Sequence, residues 1–488
     1  MGGGLIQLKY LGSEADFFIG NPQISFFKTV FKSYANFSQE LIDVNFESKL
    51  DFNKSTYANI PIHADLINKC YLNLNLKLNV SDIFDLILKE KFSSTKSGVL
   101  YEFNSINNEH IENNEELFLY NYIYSLSNHS DISSLVISEI NSLSITESVS
   151  NLYNSNNHKI DLSNVSQNKL YYSYNYNSES YNGIIYIRFI KEDLTKLINT
   201  ISFEIDEFVI EKHNTDWLLA YNKIFNNNET LNKINNQLKS ITPKMFNKNI
   251  QLYIPLRFFF TKDTTTVLPL TALYRSDINI KITTNKKEDI FICNSLISNV
   301  DFNKACLSIN YIHLDTDEQN YFKNNNHKLL IEQVQHQETN IINGVFNNID
   351  LHFTYLSKYI LWKLPYKYIL NRAKLIFNNN DLFYEQYGEY FHLLQLMEHG
   401  LGNIDSLTRM EENTDTNGTY YLYSFCLYPA LRQPSGLCNM SRIDDKFLQL
   451  ETSYINESMN NNVKIPVDVF SVNYNFLYIE HGKCKLEF

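Results

Sequence analysis

The densest grouping of reactive side chains in the sequence is His313-Leu314-Asp315-Thr316-Asp317-Glu318, a histidine and three carboxylates within six residues. Hard cations take oxygen ligands, so such a run is the first place to look for a calcium or magnesium loop. Counted as a twelve-residue EF-hand loop from Asp315 it fails, because Asn320 stands where the sharp turn needs glycine and Asn326 where the bidentate glutamate belongs. The run therefore reads as a structural loop. The sequence contains no H-E-x-x-H zinc helix, G-x-S-x-G nucleophile elbow, P-loop or G-x-G-x-x-G turn, and its 12 histidines are spread out. The six cysteines, Cys70, Cys293, Cys306, Cys426, Cys438 and Cys484, form no C-x-x-C pair. That pattern argues against a zinc site or a disulfide framework and suits buried thiols in a reducing compartment. No catalytic, cofactor-binding or metal-ligating residue is assigned, and the chain reads as a protein that is not an enzyme and needs no cofactor.

The elements that carry these residues alternate with period 2. From Tyr71 to Val80, Leu72, Leu74, Leu76, Leu78 and Val80 interleave with Asn73, Asn75, Lys77 and Asn79, which makes one face apolar and the other wet. The same alternation recurs at Ile185 to Phe189, Ile201 to Ile205, Ile278 to Ile282, Ile349 to Tyr355 and Val472 to Tyr478. One-sided strands belong to antiparallel sheets packed face to face, whereas strands of parallel sheets are buried on both sides. One helix stands out, with Asp216 as its expected N-cap and Trp217, Tyr221, Ile224 and Phe225 at helical spacing. A second is expected from Leu382 to Met397. Helices this sparse exclude the alternating βα units of a parallel nucleotide-binding fold.

The chain has 488 residues, enough for two or three domains, with 44% hydrophobic and 20% charged residues, which excludes wholesale disorder. Tyr 34 and Phe 33 against Gly 14 and Pro 9 favour half-buried pleated surfaces. The net charge of −12, with no long basic run, disfavours a nucleic-acid binder. Apolar runs are broken well before the 18 or more residues that a membrane span needs, and the first residues lack the pattern of a secretory signal. Residues from about 83 to 181, crowded with Asn, Ser and Tyr, read as a long insertion in the first domain.

Specific strings, taken in order, carry a resemblance. They are Gly2 to Leu8 (GGGLIQL), Gly20 to Lys28 (GNPQISFFK), Asp216 to Ala220, Ile254-Pro255-Leu256, Leu268-Pro269-Leu270 with Ala272-Leu273, Leu314 to Glu318 (LDTDE), Leu330 to Gln335 (LIEQVQ), Gln433 to Asp444 (QPSGLCNMSRID) and Val472 to Asn475 (VNYN). In this order the chain resembles the major capsid proteins of the nucleocytoplasmic large DNA viruses, the double jelly-roll lineage. The residues that carry the match are Gly20, Asn21, Pro22, Pro255, Pro269, Asp315, Asp317, Glu318, Gln433, Pro434, Ser435, Gly436, Asn439, Arg442, Asp444, Asn473 and Asn475. They read as structural devices: Asn21-Pro22 and Gln433 to Gly436 as turns, the latter leading out of a strand from Tyr420 to Tyr428, with Gly436 at positive φ and an ion pair between Arg442 and Asp444.

The resemblance implies an all-β fold of two tandem eight-stranded antiparallel jelly rolls with a few short helices and a long insertion in the first. The expected division is an N-terminal arm at 1–20, a first roll at 21–268 and a second at 269–488. No internal sequence repeat is visible to support the duplication. The implied function is that of a structural subunit of an icosahedral capsid, a homotrimer forming pseudo-hexagonal capsomers, assembled in the host cytoplasm and located in the virion. Neighbouring capsomers, minor capsid proteins and an internal membrane surface are the further partners, with no direct nucleic acid. The alternatives are a minor capsid paralogue and a carbohydrate-binding β-sandwich used for host attachment, since lectin-like domains share the architecture.

Overall fold

The computed structural model describes residues 31–79, 194–226, 248–290, 299–365, 368–400, 418–454 and 463–488, with shorter pieces near 21–27, between 132 and 186, and at 229–230 and 233–234. The leucine alternation expected from Tyr71 builds a longer strand, Leu66–Asn79, in which Leu72, Leu74 and Leu76 are buried on one face. The strands of the first half are β1 (Phe37–Asn45), β2 (Ser55–Asn59) and β3 (Leu66–Asn79), then β4 (Ile132–Glu139), β5 (Lys169–Tyr176) and β6 (Glu179–Tyr186), then β7 (Ile198–Ile205), β8 (Phe208–Asn214), β9 (Asn249–Pro255), β10 (Ile278–Thr284) and β11 (Asn299–Leu314). Strands β1-β11-β3-β9 form one antiparallel sheet and β8-β7-β10-β2 another, while β4-β5-β6 make a small sheet of their own that begins within the expected insertion and runs beyond its expected end to Tyr186. The strand expected at Ile185 to Phe189 is the end of β6; Ile187 and Phe189 lie outside the described residues, as do the arm at 1–20 and the insertion at 83–131.

The second half repeats this plan. Its strands are β12 (His327–Ile342), β13 (Asn347–Asp350), β14 (Leu356–Leu364), β15 (Tyr368–Phe377), β16 (Thr419–Ser424), β17 (Lys446–Tyr454), β18 (Lys464–Glu480) and β19 (Lys483–Leu486). The large sheet runs β12-β18-β14-β16 and the smaller β13-β17-β15, continued by the short bridge Asn380–Asp381. Numbered within each half, and leaving out the insertion, the strands stand in the order 1-8-3-6 in one sheet and 2-7-4-5 in the other, in both halves. Consecutive strands divided between two facing antiparallel sheets make a jelly roll. The duplication invisible in the residues is explicit in the pairing.

The repeat extends to fine detail. In β3 the pairing with β11 slips at Asn68, and in β14 the pairing with β18 slips at Lys358. Each bulge directly follows a two-residue bridge, Ile67 with Leu268 in the first roll and Ser357 with Cys438 in the second. A single-turn 3-10 helix follows each bridge, Thr271–Leu273 and Met440–Arg442.

This topology corrects the expected boundary. Strands β10 and β11 lie beyond Leu268 but pair with β2, β7, β1 and β3, so residues 269–314 complete the first roll. The Leu268-Pro269-Leu270 string is a bridge onto β3, and the change from one roll to the next falls at α2 (Thr316–Asn324). Two further readings shift. The strand expected over Ile349 to Tyr355 ends at Asp350, with Leu351 and Phe353 buried but outside any ladder. The second helix, α3, runs later than expected, Tyr390–Leu394 wound as a π-helix and Gln395–His399 as an α-helix.

Candidate functional site

The side chains with the greatest physical consequence gather at the seam between the two rolls, and α1 (Thr215–Phe225) builds it. Its cap is Asn214, whose side-chain oxygen accepts the Trp217 N–H at 2.9 Å, in place of the expected Asp216. Trp217, Leu218, Ala220, Ile224 and Phe225 are all buried, so the helix is covered nearly all round. It lies against β14 and β18: Trp217 stacks near Tyr359 and Phe470, and Phe225 near Tyr359, with ring centroids 5.3–6.4 Å apart. The sequence Tyr359-Ile360-Leu361-Trp362 is a continuous apolar run because β14 is buried on both faces. Tyr359 and Leu361 face α1, while Ile360 and Trp362 face the core of the second roll.

Charges close the edge of this apolar seam. Lys262 of the first roll donates to Glu332 of β12 at 3.3 Å and lies 3.9 Å from Glu211, itself fully buried and accepting from His213 at 2.8 Å and from the Phe259 N–H at 2.8 Å. Lys358, the bulge residue of β14, donates to Glu332 and to the Leu431 carbonyl. Lys363 pairs with Asp216, and Gln333 Nε2 donates to the Ile210 carbonyl at 2.6 Å. Burial alone would raise the Glu332 carboxyl pKa, but Lys262 and Lys358 outweigh it and hold the group below its ordinary range. Burial opposes the charge on Lys262, yet Glu332 and Glu211 prevail and push it up to about 12. A cavity of about 180 Å³ opens beside this cluster, lined by Tyr221, Phe259, Lys262, Glu332, Tyr359 and Arg432 among others. Its cations and carboxylates already serve one another, which suits a structural clasp.

The motif residues fall into three groups around this seam. Gln333 and Gln335 pair in register with Asn473 and Ser471; Gln335 donates to Asn473 at 3.1 Å, and Asn475 donates to Gln333 at 2.8 Å and to the Phe488 carbonyl at 3.1 Å. LIEQVQ and VNYN are thus one ladder read from two strands. A second group meets at Asp65, which the sequence reading missed. Its carbonyl accepts from Leu270, and its carboxylate accepts from the Leu314 N–H at 2.9 Å and the Gln319 side chain at 2.8 Å. Asp65 thereby ties the Pro269 string to the start of α2, where Asp315 is the N-cap and Asp317 and Glu318 lie in the first turn. Acids at a helix N-terminus complement its dipole, which accounts for the carboxylate run. Among the described residues no cluster of potential metal ligands occurs. The signal for Asp65 was available only as a lone carboxylate ahead of an apolar strand.

The third group is the turn after β16, which ends at Ser424, short of the expected Tyr428. Ser435 accepts from the Leu427 N–H with its carbonyl and from the Tyr428 N–H with its hydroxyl, placing Gln433 and Pro434 at the exposed tip. Gly436 adopts φ +142°, as the turn reading expects, and a Cβ there would meet the Phe425 carbonyl oxygen at 2.7 Å. Asn439 caps the following 3-10 turn by accepting from Ser441 at 3.2 Å. Arg442 and Asp444 form no ion pair among the described residues; the Asp444 N–H instead donates to Asn378. Pro255 ends β9 opposite Tyr71. Asn21 takes φ +51° beside Pro22, and Gly20 lies outside the described residues.

Comparison with known proteins bears on this geometry. A family model described as large eukaryotic DNA virus major capsid protein matches residues 365–484, and one described as major capsid protein N-terminus matches 25–86 and 159–315. The major capsid protein of Pyramimonas orientalis virus is 25% identical, with all of both chains covered, and that of Paramecium bursaria Chlorella virus 1 is 23% identical over 92% of this chain and 87% of its own. Among solved structures, VP54 of the latter virus superposes with a TM-score of 0.65 at 20% identity, covering 95% of this chain and 100% of that one. The Faustovirus major capsid protein gives 0.60 at 11% identity, covering 94% and 93%.

Proposed function

Since the chain belongs to the major capsid protein family of large eukaryotic DNA viruses, we propose that it is the shell-forming subunit of an icosahedral virion, acting as a homotrimeric, pseudo-hexagonal capsomer. It is a structural protein and not an enzyme. The observation that carries the reading is the repeated strand order within one chain. Two like rolls fixed to one another at a buried seam give a rigid unit with two similar lobes, and three such units around a threefold axis give a six-lobed tile that packs a flat lattice. Its remaining contacts are with neighbouring capsomers, minor capsid proteins and an internal membrane surface, and assembly takes place in the host cytoplasm. The net charge of −12 suits a shell that encloses nucleic acid without gripping it.

Light scattering and negative-stain microscopy of the purified chain test the proposal. The expected result is a particle near three times the 57.3 kDa chain mass with a six-lobed outline. A strictly monomeric protein at assembly concentrations would overturn it.

A further inference from the structure

The cavity beside the clasp keeps one cation that the clasp does not use. Lys262 and Glu332 serve one another, but Arg432 forms no ion pair among the described residues: its guanidinium donates to the Thr265 hydroxyl at 3.0 Å and to the Leu330 carbonyl at 3.4 Å, both neutral. Asp263, which also lines the cavity, accepts instead from the Thr265 N–H at 3.1 Å. Burial draws the Arg432 pKa below its ordinary value, as expected of a charge that has left water without a bound carboxylate. The walls are aromatic, with Tyr221, Phe259 and Tyr359, and Leu431 stands at the mouth at 56% exposure. A cavity on the order of 150 Å³ holds one benzene ring. At about 180 Å³ this one has room for a phenyl side chain beside a guanidinium.

The chain supplies such a side chain on the segment that precedes β1. Phe37 pairs with Leu314, and Leu66 with Ile312, so the segment leaves the first roll at the end where the Leu268-Pro269 bridge joins β3. The cavity lies at that end too, since its wall from Phe259 to Thr266 runs directly into the bridge. Before Phe37 the sequence has only two carboxylates, and the run Glu14-Ala15-Asp16-Phe17-Phe18 holds both. From Phe37 back to Phe18 is 37 − 18 = 19 residues, a reach of about 60 Å when extended. The described part of this segment does not pack on its own chain, for Phe27, Phe31 and Tyr34 are 99%, 89% and 83% exposed. A route back to the chain's own cavity would lay these rings along its surface.

We infer that the N-terminal arm of one copy inserts into the seam cavity of a neighbouring copy, with Asp16 paired to Arg432 and Phe18 among the aromatic walls. In an extended segment side chains two apart share a side, so the two contacts form together. The anchor supplies the carboxylate that Arg432 lacks and covers Leu431. A charge-assisted pair at a half-buried site, backed by a ring in a pocket, is the pattern of an interface anchor. The inference rests on the capsomer reading, which brings copies together, and adds how they are fastened.

The test joins the two ends covalently in the full-length chain. Asp16→Cys combined with Arg432→Cys, oxidised under mild conditions, is expected to give disulfide-linked multimers on a denaturing gel that neither single variant gives and that a reductant reverses. A link confined within single chains would overturn the exchange between copies, and no link would overturn the anchor. Because Arg432 also holds Thr265 and Leu330, Leu431→Cys at the exposed mouth replaces Arg432→Cys if the thermal midpoint falls. Phe18→Ser should leave that midpoint unchanged and speed tryptic cleavage at Lys28 and Lys32 several-fold; cleavage at the wild-type rate would also overturn the anchor. Light scattering of the wild-type chain separates the two readings. Trimers without the cross-link overturn the arm assignment alone, whereas a chain that never associates overturns the capsomer reading and this one with it.

Discussion

The large sheets of the two rolls share strand order, register and the position of a bulge, yet their outer faces have opposite chemistry. Where the second roll has Phe470, Val472 and Leu361, the first has Ser308, Asn310 and Tyr71. The inner faces do not diverge in this way: Cys70, Leu72 and Leu74 correspond to Ile360, Trp362 and Leu364, all buried. A jelly roll is specified by its inner face and by the turns that fix register. The outer face is free to be rewritten for what it must meet. In the second roll it meets a helix of the same chain during folding, which favours permanent apolar burial.

The sharpest way to break this comparison is to empty the seam. Trp217→Ala removes a fully buried indole from between the rolls and should cost about 3–5 kcal/mol by calorimetry, whereas Leu41→Ala, at an exposed position on the outer face of the first roll, should stay within about 0.5 kcal/mol of wild type. Equal losses would mean that the two faces are not differently used. The charged edge gives the next largest contrast. Glu332 and Gln39 occupy equivalent positions, but Glu332→Ala removes the carboxylate that Lys262 and Lys358 share and should cost about 3 kcal/mol, against almost nothing for Gln39→Ala in denaturant titrations.

A residue exchanged between the rolls probes the turns. Thr266 stands in the first roll where Gly436 stands in the second, each two residues before the bridge onto the third strand. Gly436→Thr should nonetheless destabilise by about 1–3 kcal/mol, because the backbone is at φ +142° and the Phe425 carbonyl occupies the space.

The seam should also be the acid-sensitive part of the molecule. The Glu332 carboxyl is held below its ordinary range, so its contribution is complete above the unfolded value of about 4.3 and drains away as pH falls through the lower folded value. Acid unfolding of Glu332→Gln should lack that limb. At the other extreme Lys262 contributes fully below about 10.4 and loses its contribution as pH passes about 12. The smallest expected effect is about 1 kcal/mol for Asp315→Ala, which removes the cap of α2 at the junction of the rolls.

Most strands were legible because their inner faces alternate cleanly, as in Leu72 to Leu76 and Ile278 to Ile282. The duplication was not legible, since equivalence resides in pairing and in the bulges at Asn68 and Lys358, whose side chains have nothing in common. The boundary was misplaced for a related reason. A proline in Leu268-Pro269-Leu270 reads as a linker, but Leu268 and Leu270 are fully buried and the string bridges onto β3. The motif strings marked the right places without revealing their partners. Gln333 and Asn475 lie 142 positions apart and join only through the β12–β18 ladder. The Arg442 and Asp444 pairing failed because sequence proximity says nothing about which way two side chains leave a turn.

The pairing of β1 with β11 sets a timetable for synthesis. Phe37 lies opposite Leu314, so 314 − 37 = 277 residues must be translated after Phe37 before its partner exists. At roughly 5–20 residues per second that interval lasts on the order of tens of seconds. Once made, β3 waits with the edge that β11 will occupy unpaired. Nascent chains of this protein are thus most open to mispairing before Leu314 leaves the ribosome, and a ribosome stalled between β10 and β11 would hold a roll with its central strand missing.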